Sequence, residues 1–454
     1  MSPSKSRSRV ATIRGAGAAV AAARVVSLLA AVVQLPVLTR TLPAAEYGAI
    51  AVIMSLSIYF SLVAAEPATL AFQRHPGLPH ERGNYAYALS KILPAAALAG
   101  LIVVVVGLIS GEMESALGVV AWGLSLALAR YTATAWLMWH RSWSYALNLM
   151  ASTLARTAVL VGLVLAGFSG PVALILAGLA SAAVSLLLSP RASFRRRNLP
   201  TRPWPRALGY FLAAASLGVT ILSSANVILV ERRVGAASAA SFAAMAQLAL
   251  LTSGAVASTL LTVIYPYLRR QWDDGEQDKV IRLLRVTQLL MVIIAGASVV
   301  TLTVFDGYIA GIVVNRSLVD IPTLSVLVIA AVLGAIGQTS GWLLQFRLEA
   351  RSLAIRTAVA SAIALALLVA LIWGAPIDPA RGAAIATAVG FFVYAAMLRG
   401  RAALREPFVT VLFLALLGMA LAAPFVPLPV TTYAAAALGT VAMIAVVLSQ
   451  RKTT

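Results

Sequence analysis

The sequence predicts an all-α polytopic membrane protein, and three observations carry that prediction. Hydrophobic residues make up 61% of the 454-residue chain and charged residues only 11%, with a mean hydropathy of +0.93. That composition excludes an ordinary soluble domain. Apolar windows of about 20 residues recur along the whole chain, each long enough to cross hydrocarbon as a helix. Lys and Arg gather in alternate breaks between those windows, the pattern that fixes the orientation of a multi-pass protein.

Fourteen candidate helices follow in order. The first six run 16–38, 48–71, 88–110, 116–137, 146–167 and 171–189. A basic stretch, 190–207, separates them from six more at 208–230, 236–265, 286–305, 322–346, 356–374 and 382–398. A final pair runs 407–424 and 430–449. The predicted organisation is therefore an N-terminal six-helix lobe (1–189), a basic cytoplasmic linker (190–207), a second six-helix lobe (208–398) and an additional helix pair (399–454). Interspersed Ala, Gly and Ser suit close helix packing in lipid. The basic, Ser-rich start leads into an apolar run without a clear cleavage site, and reads as an uncleaved first span.

The charge count orients the chain. If both termini are cytoplasmic, the inward breaks hold 26 of the 35 Lys and Arg residues and the outward breaks only five. The net charge of +20 thus belongs to membrane orientation and not to nucleic-acid binding. The chain has no Cys, so disulfides, thiolate metal sites and Cys nucleophiles are excluded. His75, His80 and His140 fall in or beside predicted cytoplasmic loops, away from any ligand pattern. No Walker-type phosphate loop occurs, and no extramembrane segment is large enough for a catalytic domain. The chain reads as a transporter and not an enzyme, with no cofactor.

Four cations lie inside predicted spans: Arg24, Lys91, Arg130 and Arg156. A charge at mid-bilayer depth costs roughly 2.5–3.5 kcal/mol on insertion scales, so such residues usually face a bundle interior or a hydrated cavity. Together they predict an electropositive pocket and an anionic cargo. Lys91 also fits a snorkelling role near the inner end of its helix. Glu66, followed directly by Pro67, is the acid deep in a span; it suits either an ion pair with one of the cations or titration in H⁺ or Na⁺ coupling. Helices 7–14 show no deep charge, only Gln247, Gln288, Gln338 and Gln345. Trp136, Trp139, Trp143 and Trp342 suit an interfacial belt or stacking on sugars.

The segment Thr39–Leu56 aligns without gaps on Glu231–Leu248. Both carry Arg second (Arg40, Arg232), a Pro- or Gly-Ala-Ala turn, and an apolar helix. The pairing predicts two parallel six-helix repeats with a site between them. Arg40 and Arg232 suit an outer gate or plain solvated loop charges.

The stretch Leu35–Ser57 resembles the signature of bacterial polysaccharide flippases, in Leu38, Thr39, Arg40, Glu46, Tyr47 and Gly48. Those flippases belong to the multidrug/oligosaccharidyl-lipid/polysaccharide exporter (MOP) superfamily. The resemblance implies two six-helix bundles in a V shape that alternate between inward-open and outward-open states. It also implies a cargo, a prenyl-pyrophosphate-linked oligosaccharide, in the bacterial cytoplasmic membrane, alongside membrane lipids and polysaccharide assembly proteins. Arg24, Arg130, Arg156 and Lys91 would then grip the pyrophosphate, because guanidinium groups stay ionised and bond phosphate bidentately. The alternatives from the same superfamily are a cation-coupled multidrug antiporter and a peptidoglycan-precursor flippase. A membrane-embedded polysaccharide polymerase or ligase is the alternative of another class.

Overall fold

The computed structural model describes residues 3–74, 82–139, 141–189, 206–305, 312–402 and 407–451. The three His residues (75, 80 and 140) and most of the basic linker lie outside the described residues. The rest is helical, with no strand among the described residues. We number fifteen α-helices: α1 Pro3–Thr41, α2 Ala44–Arg74, α3 Arg82–Ser110, α4 Met113–Met138, α5 Ser142–Leu165, α6 Gly170–Leu187 and α7 Arg206–Val234. They continue with α8 Ala236–Ala249, α9 Ala255–Asp273, α10 Gln277–Val304, α11 Ile321–Phe346 and α12 Ala350–Gly374. The last three are α13 Pro379–Ala402, α14 Pro407–Ala422 and α15 Leu428–Arg451.

Twelve helices are long and apolar enough to cross a membrane, and Thr410–Ala422 and Pro429–Ala445 are shorter apolar helices. The all-helical fold with its run of apolar spans is thus the one expected. The segment predicted as one helix over 236–265 is α8 and α9 joined through a π-helical turn, Leu250–Gly254. That turn sets Ser253 against α11: its buried hydroxyl donates to the Val328 carbonyl at 3.2 Å. A π-turn of this kind leaves backbone groups off the i→i−4 ladder, and hydropathy alone does not reveal it.

The chain forms two compact units. Unit 1 comprises Met1–Leu42 and Val52–Leu217, and unit 2 comprises Pro43–Ala51 and Gly218–Thr454. In unit 1, α4 packs against α3, α5 and α6, and α1 packs on α5. The α4–α6 approach depends on Gly178, where an added Cβ would lie 2.7 Å from the Ala121 carbonyl oxygen. Ala65, Ala68, Ile92, Leu128 and Tyr131 fill one core cluster, and Ala19, Ala23, Tyr145 and Ala146 a second.

Unit 2 is built on α11, which is buried along most of its length and packs on α8, α10 and α13. Asp320 caps α11 by accepting from the Thr323 backbone N–H at 3.3 Å. The same carboxylate pairs with Arg381 on α13 at 3.2 Å. The terminal helix α15 lies against α10, crossing where a Cβ on Gly296 would meet the Ala435 carbonyl oxygen at 2.7 Å. Backbones approach this closely in lipid only where both surfaces are small.

Candidate functional site

Glu66 is the centre of a buried charged contact inside unit 1. Small neighbours on α2, notably Ala64, Ala65 and Ala68, are themselves buried and let the helix pack tightly around the acid. The helix continues through Pro67 to Arg74. One carboxylate oxygen of Glu66, Oε1, receives Arg130 Nη2 at 3.0 Å and the Ser216 hydroxyl at 3.1 Å. Three helices, α2, α4 and α7, thus supply one group each. The Glu66 side chain is 2% exposed, whereas that of Arg130 is 55% exposed. The acid is sealed in protein, and its cation is the exposed partner of the pair.

Energetics sharpen the asymmetry. Two unit charges about 4 Å apart attract by roughly 4 kcal/mol at an effective dielectric near 20. Removing a carboxylate from water costs several kcal/mol in real proteins, so such a pair adds little net stability. Neutralising Glu66 therefore removes a charge that the fold does not need for packing.

The other intramembrane cations have separate neighbours. Arg156 stands midway along α5, its guanidinium 4.8 Å from the centroid of the Trp122 ring of α4. A cation over an indole face gains about 0.5–2 kcal/mol, more as water is excluded. Arg24 is half-buried and interacts electrostatically with Tyr145. Its neighbour Ala23 packs with Tyr145 and Ala133, so Arg24 lies level with the first turn of α5. Helix α1 itself is longer than predicted, beginning at Pro3. Lys91 is exposed near one end of the apolar part of α3, the position that suits a snorkelling lysine. The structure thus joins Glu66 with Arg130, and sets Arg24, Arg156 and Lys91 against other groups.

Arg40 and Arg232 are both exposed at helix ends. Arg232 lies 3.8 Å from its chain neighbour Glu231. The two repeat segments do meet: a Cβ on Gly48 would fall 1.9 Å from the Ala236 carbonyl oxygen, a contact made within unit 2.

Two readings of unit 2 need correction. Arg399, just past the end of the helix predicted over 382–398, is buried, because α13 continues to Ala402; its guanidinium lies 5.6 Å from the Phe413 ring centroid. Trp342 is likewise buried, edge-on to Tyr265 at 4.9 Å, and belongs to neither an interfacial belt nor a sugar platform. Among the glutamines, Gln288 is buried and donates to Thr339 at 3.0 Å and Ser340 at 3.1 Å, while Gln338 is exposed. Ser216 and Trp122, the partners of Glu66 and Arg156, carry no sequence signal that would have singled them out. Among the described residues no group of three or more His, Asp or Glu side chains could hold a metal ion.

The chain shares its all-helical architecture of apolar spans with solved structures. The fold is that of MATE transporters of the MOP superfamily. The chain is similar to the MATE multidrug transporter DinF-BH, at 12% identity and a TM-score of 0.59, with 86% of this chain and 95% of that one covered. An outward-facing multidrug resistance MATE transporter is similar at 13% identity and a TM-score of 0.55, with the same shares covered. A Vibrio cholerae MATE transporter, VcmN, matches at 14% identity and a TM-score of 0.54, covering 89% of this chain and 99% of that one. No protein-family model and no curated protein matches the sequence.

Proposed function

We propose that the protein is an ion-coupled exporter that works by alternating access, with Glu66 as the group that exchanges partners. The observation that carries this reading is a sealed carboxylate held by a half-exposed cation. A proton or Na⁺ arriving at Glu66 competes with Arg130, and neutralising the acid frees the guanidinium. A cationic substrate competes for the same carboxylate, so ion and substrate exclude one another. That mutual exclusion is what antiport requires. The names of the similar structures, multidrug transporters, favour a small-molecule cargo for this chain as well. The charge asymmetry of the sequence supports a bacterial cytoplasmic membrane location with both termini inside.

A second reading has its own support. Arg156 at mid-helix and the half-exposed Arg130 favour an anionic headgroup, as in a prenyl-pyrophosphate-linked oligosaccharide or a peptidoglycan precursor. The two readings separate in reconstituted vesicles. Under the first, a pH or Na⁺ gradient drives export of a cationic dye such as ethidium, and Glu66→Gln abolishes it while Arg156→Leu leaves it within about twofold. Under the second, the vesicles flip lipid-linked glycan, and Arg130→Ala and Arg156→Leu each slow flipping at least about tenfold, the loss of one charge-assisted phosphate contact. Gradient-independent dye leakage alone, with no glycan flipping, would overturn both.

A further inference from the structure

We infer that unit 2 carries a binding site for an anionic phospholipid, at the junction of α12 and α13 and separate from the Glu66 site. A cavity of about 580 Å³ opens there, lined by Glu349, Arg351, Ser352, Ile355, Arg356 and Met397. Its volume is in the range of sites that hold small organic ligands, roughly 300–1,000 Å³, and far exceeds what a bare phosphate fills.

The chemistry of the lining selects the ligand. Arg356 is half-buried. Its Nη1 donates to the Met397 carbonyl at 3.0 Å and its Nε to the Ser352 hydroxyl at 3.3 Å. Those two bonds fix the guanidinium at the cavity wall and leave the rest of its donor fork for a ligand. Arg351 is exposed at the rim and supplies a second cation. Glu349 lines the same cavity and offsets one of the two positive charges. The net charge of one on the described lining residues suits a singly charged phosphodiester better than a multiply charged pyrophosphate or free phosphate.

The hydrophobic side of the site argues for a lipid. From the cavity, Ile355, Val359 and Ile363 form a ridge along α12 at i, i+4 and i+8, exposed by 53%, 41% and 45%. In a helix apolar enough to cross a membrane, such a ridge is a track for an acyl chain. Cations at the head of an apolar helix track are the arrangement by which basic pockets between spans hold anionic headgroups. The charge asymmetry of the sequence assigns this end to the cytoplasmic leaflet.

The test uses the full-length protein in nanodiscs of phosphatidylcholine with or without phosphatidylglycerol, followed by native mass spectrometry. Wild type is expected to retain phosphatidylglycerol in preference to phosphatidylcholine. Arg351→Ala, on an exposed side chain that folding does not need, should lower that retention about tenfold, and Arg356→Lys, which keeps charge and loses the fork, by a smaller factor. Ile355→Ser should also lower it, because the acyl chain loses its track. Equal phosphatidylglycerol retention by wild type and Arg351→Ala overturns the inference. Displacement of the lipid by an equal concentration of glycerophosphate also overturns it, since that shows an anion site without a chain site.

Discussion

Unit 1 buries a full negative charge at Glu66, whereas the buried polar pairs of unit 2 are neutral. Gln288 bonds Thr339 and Ser340, Asn226 bonds Thr387, and Ser361 donates to the Gly218 carbonyl at 2.8 Å. The buried guanidinium of unit 2, Arg399, lies near the end of α13 against Phe413. Neutral hydrogen bonds and glycine contacts hold helices in one arrangement at modest cost. A buried ion pair gains little net stability and changes character when one partner is neutralised. On the proposed reading unit 1 holds the element that an ion can switch, while the buried side-chain hydrogen bonds of unit 2 are neutral and its Asp320–Arg381 pair is part-exposed.

Substitutions should separate the two units in order of size. The largest effect is expected at the α10–α15 crossing. Gly296→Leu forces a side chain into the Ala435 backbone and should cost about 3 kcal/mol, read as a lower thermal unfolding midpoint in detergent. A wild-type midpoint would mean that α15 is not docked as the structure shows. Arg130→Ala leaves Glu66 buried with only Ser216. Removing one partner of a buried pair costs about 3–5 kcal/mol, and the exposure of Arg130 reduces this to about 2 kcal/mol. The Arg130→Ala, Glu66→Gln double variant should recover most of that loss; if it does not, the two side chains are not energetically coupled. Gln288→Leu should cost about 1 kcal/mol and leave ion-driven transport unchanged. A selective transport defect there would move the switchable element into unit 2.

The sequence reveals repetition well and depth poorly. Fourteen apolar windows and the Thr39–Leu56 repeat are legible because hydrophobic length and spacing are properties of single segments. The approach of Gly48 to Ala236 is a separate matter, a contact within unit 2 that the repeat does not predict. The burial of Arg399 and the enclosure of Trp342 are not legible, because each is set by neighbouring helices. Glu66 and Arg130 stand out individually as costly residues in apolar spans. Their union, and the part of Ser216, depend on the rotation of three helices that hydropathy leaves undetermined. Solved structures similar to the chain support the MATE fold, and the cargo rests on the chemistry of the site.

Proton release on substrate binding tests the role of Glu66 most directly. Purified protein first equilibrated at acidic pH, so that a proton has replaced Arg130 on Glu66, and then mixed with a cationic substrate in weakly buffered detergent solution should acidify the solution, and Glu66→Gln should bind the substrate without releasing protons. If Na⁺ is the coupling ion, added Na⁺ should instead displace the substrate from wild type and not from Glu66→Gln. Proton release and Na⁺ competition that both persist unchanged in folded Glu66→Gln would contradict the assignment of Glu66 as the exchanging group.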